Sequence, residues 1–123
     1  MRCLLWIWAL LGMLGCSQRA PEGERIVVTT TLLGDAVRAI VREDVPLDVL
    51  MGPGVDPHLY KPTVQDVERL RRARVVVAHG LRLEGKMEDV LRSYARRRAV
   101  VFAAELLPRD SLRRVGPQQY DPH

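Results

Sequence analysis

Four short apolar runs rich in β-branched residues constrain the fold of this chain more than any other feature. They cover residues 25–31, 47–51, 74–78 and 99–103. Near-continuous apolar runs of this kind are typical of strands that are covered on both faces, as in a parallel sheet. The runs therefore predict four strands.

Amphipathic segments separate the runs and predict helices over residues 32–43, from Thr63 onward, and over 83–96. Thr63 and Asp66 form the pattern of a capping box. The side chains expected to face the sheet are Leu33, Ala36, Val37, Ile40 and Val41 in the first helix and Val64, Val67 and Leu70 in the second. The alternation predicts an α/β fold with a four-stranded, mostly parallel sheet and flanking helices. Residues 105–120 lack a clear period, and we predict a loop there.

Residues 1–15 have the pattern of an export signal, because one early charge, Arg2, precedes an apolar run. This run is shorter than the roughly 20 residues that span a bilayer. The sequence MLGC at residues 13–16 resembles a bacterial lipobox, which predicts a lipid on Cys16. An ordinary cleaved signal peptide and a membrane-embedded hydrophobic tail remain alternatives. Cleavage before Cys16 would leave one cysteine in the chain and thus no intrachain disulfide.

The chain is basic, with a formal charge of +4, and removal of Arg2 with the signal lowers it to +3. Basic clusters are typical of nucleic-acid binding. Here, however, they lie at predicted helix ends and polar faces with no aromatic residues between them, and an exported protein rarely meets DNA. We therefore expect no nucleic-acid partner. The clusters comprise Arg69, Arg71, Arg72 and Arg74, then Arg96, Arg97 and Arg98, then Arg113 and Arg114.

The three histidines follow predicted strands or loops at the edge where parallel strands end, which is where α/β sheets bind ligands. His58 lies in the stiff segment GPGVDPHLYKP at residues 52–62, His79 follows the third strand, and His123 ends a second Asp-Pro-His sequence. Neutral imidazole is a ligand for zinc, manganese, copper and iron. The rigid turn therefore predicts a pre-positioned metal ligand at His58. A turn histidine that donates to a backbone carbonyl is the alternative.

Residues 29–35, the sequence GPGVDPHLY at 52–60 and the run over 66–84 resemble the N-terminal lobe of the TroA-like, or cluster A-I, family. These are substrate-binding lipoproteins of zinc and manganese ABC importers. The resemblance implies that His58 and His123 coordinate the metal ion and that a second lobe supplies the other ligands. It also implies capture of Zn²⁺ or Mn²⁺ in the periplasm or at the cell surface, a lipid anchor in the membrane at Cys16, and delivery to a membrane ABC permease.

The chain departs from the family pattern in several ways. Residues 16–123 contain no second lobe, so we expect a truncated form whose site is incomplete and binds metal weakly. His79 stands where the family has asparagine, and we expect a structural or solvent-facing role, with an accessory ligand as the alternative. Tyr60 and Glu84 match family positions and should support the loop. The absence of histidine from 105–120 leans away from a protein dedicated to zinc.

The leading hypothesis is thus a metal-binding protein and not an enzyme. A surface adhesin or interaction module without metal transport is the alternative from another class. A small hydrolase that uses zinc-activated water would need a general base beside the histidines. Asp56 and Asp121 are the candidates, but each precedes a proline in a turn, where aspartate more often caps its own backbone.

Overall fold

The computed structural model describes residues 25–117 and 119–123. The export signal over 1–15 and the lipid on Cys16 lie outside these residues and remain predictions. Among the residues that are described, no helix has the length and apolar character needed to cross a membrane.

The chain alternates strands and helices as the sequence predicts. In chain order the elements are β1 (Arg25–Thr30), α1 (Thr31–Arg38), β2 (Leu47–Met51), α2 (Val64–Arg72), β3 (Ala73–Ala78), α3 (Gly85–Ala95) and β4 (Val100–Phe102). The four strands form one sheet in the order β2-β1-β3-β4, and every neighbouring pair is parallel. The predicted α/β fold with a four-stranded parallel sheet is confirmed.

The sheet is covered on both faces, as its continuous apolar strands require. Val27 and Val28 are adjacent in β1 and both fully buried, but they belong to separate apolar clusters. Val27 packs in the cluster that contains Leu70 of α2 and Leu91 of α3, whereas Val28 packs in the cluster that contains Val37 of α1. Because successive strand residues point to opposite faces, α1 covers one face and α2 with α3 covers the other.

This arrangement creates a crevice at one edge of the sheet. The connection from β1 to β2 runs over one face and the connection from β2 to β3 returns over the other, while β1 and β3 are neighbours. The loops that leave the carboxyl ends of β1 and β3 therefore diverge, and such switch points are where α/β sheets bind ligands.

Two predicted helix faces are wrong in part, although Leu33, Val37 and Leu70 are buried as expected. Helix α1 ends at Arg38 and not at residue 43, and Ile40 beyond it is 83% exposed, because the chain turns back toward β2. In α2, Val64 is 88% exposed and Val67 is half-exposed, while Asp66 occupies the inward position with Leu70. The capping box places the carboxylate inward, where its hydrogen bonds offset the cost of burial.

The prediction of a loop over 105–120 is also wrong in part. The segment contains short 3₁₀ turns at Ala103–Leu106 and Arg109–Ser111, followed by an antiparallel hairpin of β5 (Arg114–Gly116) and β6 (Gln119–Tyr120). The strands have three and two residues, so they offer too few positions for a readable alternation. The hairpin returns the chain toward the crevice.

Candidate metal centre

Two of the three histidines meet at the carboxyl edge of the sheet. His58 lies in the 3₁₀ turn Pro57–Leu59 after β2, and His123 follows β6. Their Nε2 atoms are 3.1 Å apart. The ring centroids are 5.1 Å apart with an interplanar angle of 69°. The structure thus brings together the two residues that the sequence singles out, although their role as metal ligands remains a prediction.

The same local structure presents each imidazole. Asp56 Oδ1 accepts a hydrogen bond of 2.9 Å from the backbone N–H of His58, and Asp121 Oδ1 accepts one of 3.0 Å from that of His123. In both Asp-Pro-His sequences the aspartate therefore closes a turn on its own backbone, as short acidic residues do. The intervening proline fixes φ. The two rings are held by two copies of one turn.

A polar network anchors the chain just after His58. The Tyr60 hydroxyl donates a 2.8 Å bond to Asp66 Oδ2, which also accepts bonds from the Thr63 hydroxyl at 2.7 Å and the Thr63 backbone at 2.9 Å. Burial of Asp66 would by itself raise its carboxyl pKa, but the bonds from Thr63 and Tyr60 outweigh burial and lower the pKa. Burial raises the pKa of Tyr60 to about 12, and the bond to Asp66 acts in the same direction. The network connects the histidine turn to the start of α2.

Glu84 fixes the loop between β3 and α3. Glu84 is fully buried, and its carboxylate accepts bonds from the Thr29 hydroxyl at 2.7 Å and from the backbone N–H groups of His79 and Gly80. These contacts join the end of β1 to the loop after β3. The sequence led us to expect that Glu84 supports the loop of His58, whereas its bonds hold the loop after β3.

Gly85 was not anticipated from the sequence. It has a φ of +49°, and a Cβ atom built at this position would lie 2.5 Å from the carbonyl oxygen of His58. The backbone of the histidine turn therefore packs directly on the first residue of α3, a contact that only glycine permits. The one sequence signal was a glycine at a helix start where a good helix former is expected.

The loop between β3 and α3 has an unusual backbone that carboxylates hold in place. Leu81 and Arg82 have φ values of 54° and 69°, in the left-handed region that costs a non-glycine residue energy. The Leu81 N–H donates to Glu105 Oε1 at 3.2 Å, and the Arg82 N–H donates to Glu88 Oε2 at 2.6 Å. Arg92 in turn forms ion pairs with both Glu88 and Glu105.

His79 lies close to the histidine pair but does not join it. It lines a cavity of about 380 Å³ whose wall is mostly apolar. The lining residues include Thr30, Met51, Val55, Leu83, Pro122 and His123. In the part of the chain that the structure describes, no three His, Cys, Asp or Glu side chains form a group able to hold a metal ion. The geometry thus gives no support for His79 as an accessory metal ligand. Its backbone N–H donates a hydrogen bond to Glu84.

The separation of the paired nitrogens fits a shared metal ion. Two imidazole nitrogens bound to one tetrahedral zinc ion at about 2.05 Å lie about 3.3 Å apart. The observed Nε2 separation is 3.1 Å. One neutral ring can donate its Nε2–H to the Nε2 lone pair of the other. To bind one ion through both Nε2 atoms, the donor ring would take the Nδ1–H tautomer that the acceptor ring already has. The pair would supply two ligands, whereas zinc sites have at least three from the protein.

The structure is an α/β domain with paired imidazoles at the carboxyl edge of a parallel sheet. Residues 26–123 match the family model ZnuA, described as zinc-uptake complex component A, periplasmic. The chain therefore belongs to this family, as its Asp-Pro-His and helix motifs indicate.

Relatives with known names support this assignment. The chain is 40% identical to the zinc-binding protein TroA of Treponema pallidum, across 98% of this chain and 41% of that protein. It is 37% identical to the manganese-binding lipoprotein MntA of Bacillus subtilis, across 95% of this chain and 40% of that protein. The chain thus spans about two fifths of the length of these relatives.

The solved structure of the periplasmic zinc-binding protein TroA from Treponema pallidum has the same fold. The TM-score is 0.75 with 40% sequence identity, and the match covers 80% of this chain and 36% of that one. A periplasmic metal-binding protein from Candidatus Liberibacter asiaticus, at 19% identity and a TM-score of 0.64, shows the shared fold alone. The four-stranded sheet thus corresponds to one part of a longer family member.

Proposed function

We propose that this chain captures a divalent metal ion, Zn²⁺ or Mn²⁺, outside the cytoplasm and belongs to a binding protein that delivers the ion to a membrane ABC permease. His58 and His123 supply the ligands from this chain. The lipid on Cys16 anchors the protein to the membrane after export. Family membership and the names of the relatives support the substrate class and the transport role.

The observation that supports this proposal most strongly is the 3.1 Å approach of the two Nε2 atoms. Metal affinity depends on ligands that are held in place before the ion arrives, because ordering them on binding costs free energy. Here each ring is presented by its own Asp-Pro-His turn, and the turn of His58 is also fixed by Gly85. Two imidazole nitrogens held at this separation by their own turns suit one shared ion.

Binding also accounts for the site better than catalysis does. A metal hydrolase needs a general base that faces the metal-bound water. The carboxylates nearest in sequence, Asp56 and Asp121, each accept a main-chain N–H bond within their own turn. We therefore assign them to holding the imidazoles and not to proton transfer.

Isothermal titration of the chain with ZnCl₂ tests the proposal. We expect one ion per chain with a dissociation constant weaker than about 1 µM, since two protein ligands are fewer than zinc sites use. Loss of a mere outer-shell partner costs about 10–100-fold in affinity. His58→Ala and His123→Ala should each lose at least that much, whereas the matched control His79→Ala should bind as the unaltered chain does. Unchanged affinity in His58→Ala would contradict the proposal.

The same titration addresses the choice of ion. For a given set of nitrogen ligands, zinc binds more tightly than manganese. With imidazoles as its donors, the chain should bind Zn²⁺ more tightly than Mn²⁺. Equal or reversed affinities would show that other groups coordinate the ion.

A further inference from the structure

Six exposed arginines lie along the edge of the sheet opposite the histidine pair. We call this group the arginine edge: Arg71, Arg72, Arg74, Arg96, Arg97 and Arg98. Arg71 and Arg72 end α2, Arg74 is the second residue of β3, and the other three connect α3 to β4. In this parallel sheet all six positions precede or begin strands, so they lie at its amino edge.

Side-chain electrostatics place the two halves of this edge together. The Tyr94 hydroxyl of α3 donates a hydrogen bond to the backbone carbonyl of Leu70 in α2. Burial raises the pKa of that hydroxyl, and the positive charges of Arg98 and Arg71 both act in the opposite direction. The end of α2 and the turn after α3 therefore share one surface.

The charge of this surface is scarcely compensated. Glu68 pairs with Arg71 and Arg72, which leaves six positive charges against one carboxylate. Among the described acidic residues that precede or begin β2, Asp44 pairs with Arg42 and Asp48 pairs with Arg25. Glu43 adds one further negative charge there. With Glu68 and Glu43 counted, the described residues of this edge have a formal charge of +4, as large as that of the whole sequence.

Stabilisation of helix dipoles explains only part of the cluster. Cations in the last turn of a helix interact favourably with its carbonyl groups, and this applies to Arg71, Arg72 and Arg96. Arg74 lies in a strand, and Arg97 and Arg98 lie beyond the end of α3. Helix dipoles thus leave the positions of these three arginines unexplained.

The route of the chain indicates what this surface meets. Strand β1 begins at Arg25 on the same edge, in register with Ala73 of β3. Cys16 is nine residues upstream, so even a fully extended segment reaches no more than about 30 Å. A chain anchored by lipid at Cys16 is therefore tethered to the bilayer from the side that carries the arginines.

We propose that the arginine edge docks on the anionic surface of a lipid bilayer. Arginines close to such a surface interact with the headgroups and are screened by salt over a Debye length. Strands of six residues at about 3.3 Å per residue separate the two edges of the sheet by roughly 20 Å. Docking by the arginine edge thus keeps the histidine pair on the far side, open to incoming metal. This inference rests on the lipid anchor of the proposed function.

Sedimentation of the full chain with vesicles tests the inference. Vesicles of phosphatidylcholine alone measure attachment through the apolar N-terminal segment, and vesicles that also contain phosphatidylglycerol measure the added effect of charge. At about 0.05 M NaCl we expect stronger partitioning onto the anionic vesicles, and at about 0.5 M NaCl we expect the preference to disappear.

Charge-matched variants locate the surface. Each arginine near an anionic bilayer contributes about fivefold in partitioning, so R96A/R97A/R98A should lower the anionic preference about 100-fold. K61A/K86A/R109A loses the same charge elsewhere and should retain most of the preference for anionic vesicles. R96K/R97K/R98K should also retain this preference, because lysine binds such surfaces as well. Circular dichroism serves as the control that each variant is folded.

Equal losses in the two alanine variants, or no preference for phosphatidylglycerol in the unaltered chain, would overturn the inference. So would a preference for a DNA duplex over the anionic vesicles. The zinc titration separates this proposal from the metal site, because R96A/R97A/R98A should bind zinc as the unaltered chain does. If R96A/R97A/R98A loses binding to anionic vesicles but still binds zinc, the arginine edge is the membrane surface. If neither the unaltered chain nor the variant binds zinc, only the proposal of a metal site fails.

Discussion

Replacement of Gly85 by alanine should separate the packing that positions His58 from the ligands themselves. Gly85 opens α3 with a φ of +49°, and its missing side chain leaves room for the carbonyl oxygen of His58. A Cβ atom would lie 2.5 Å from that oxygen, closer than carbon and oxygen atoms approach in proteins. The turn Pro57–Leu59 must therefore shift, and the imidazole must shift with it.

The expected loss in the free energy of unfolding of Gly85→Ala has two parts. A left-handed φ costs an alanine about 1–2 kcal/mol. Insertion of a methyl group into a packed contact costs about 1–3 kcal/mol more, because the backbone has to move. Gly85→Ala should thus lower the free energy of unfolding by about 2–5 kcal/mol, a large share of the roughly 5–15 kcal/mol that holds a domain folded.

Gly54→Ala provides the matched control. Gly54 also has a positive φ, +79°, but nothing lies within 4 Å of a Cβ built there. It should lose only the conformational part, about 1–2 kcal/mol, and should keep its zinc affinity. Urea unfolding gives the stability of each variant, and zinc titration gives the affinity at a temperature where both are folded.

The expected result is that Gly85→Ala weakens zinc binding about tenfold or more, as loss of a group that orients a ligand does. Gly54→Ala should bind zinc as the unaltered chain does. Unaltered zinc affinity in a folded Gly85→Ala chain would refute the argument that this contact positions His58. An equal loss in Gly54→Ala would show that backbone strain alone, and not the contact, controls the site.

Three further results follow from the buried polar groups. Glu84→Ala leaves three donors without their acceptor, each worth about 1–3 kcal/mol when buried, so its urea midpoint should fall further than that of Glu43→Ala, an exposed control. Tyr60 has its pKa raised to about 12, so the stability it contributes is complete below the ordinary tyrosine pKa of about 10 and is lost as pH rises toward 12. Ultraviolet titration of the chain and of Tyr60→Phe should differ by one tyrosine that ionises near pH 12. Ionisation of that tyrosine near pH 10 would contradict the prediction. Asp66 has a lowered pKa, so its contribution is present above about pH 4 and is lost as pH falls through the folded value; Asp66→Asn should be less stable at pH 7 and should show a weaker loss on acidification, and parallel pH profiles would be evidence against the network.

The sheet could be predicted because each of its strands is an apolar run, and a run buried on both faces leaves an unmistakable pattern. The inward face of α2 could not, since Asp66 is buried through bonds to Tyr60 and Thr63 that only the folded chain brings together. The helical spacing of apolar residues predicts that valines such as Val64 face the core and that a carboxylate faces solvent.

The site divides in the same way. His58 and His123 were singled out because the sequence repeats Asp-Pro-His and because its resemblance to the TroA-like family implies that both histidines bind one ion. That role remains a prediction. The role of Gly85 was not visible, since neither its positive φ nor its contact with the His58 carbonyl has a sequence signature. The hairpin of β5 and β6, which returns the chain toward the crevice, was also missed because its strands are too short to show a period.

The central claim is that the imidazoles of His58 and His123 bind one and the same metal ion through Nε2. Nitrogen-15 NMR of the histidine rings during a zinc titration tests it directly, because the Nε2 signal of a ring changes when that nitrogen donates its lone pair to zinc. The Nε2 signals of both residues should shift together and reach their limits at one equivalent of zinc, while the ring of His79 stays unchanged. Separate shifts that require two equivalents, or a shift of only one of the paired rings, would contradict the claim.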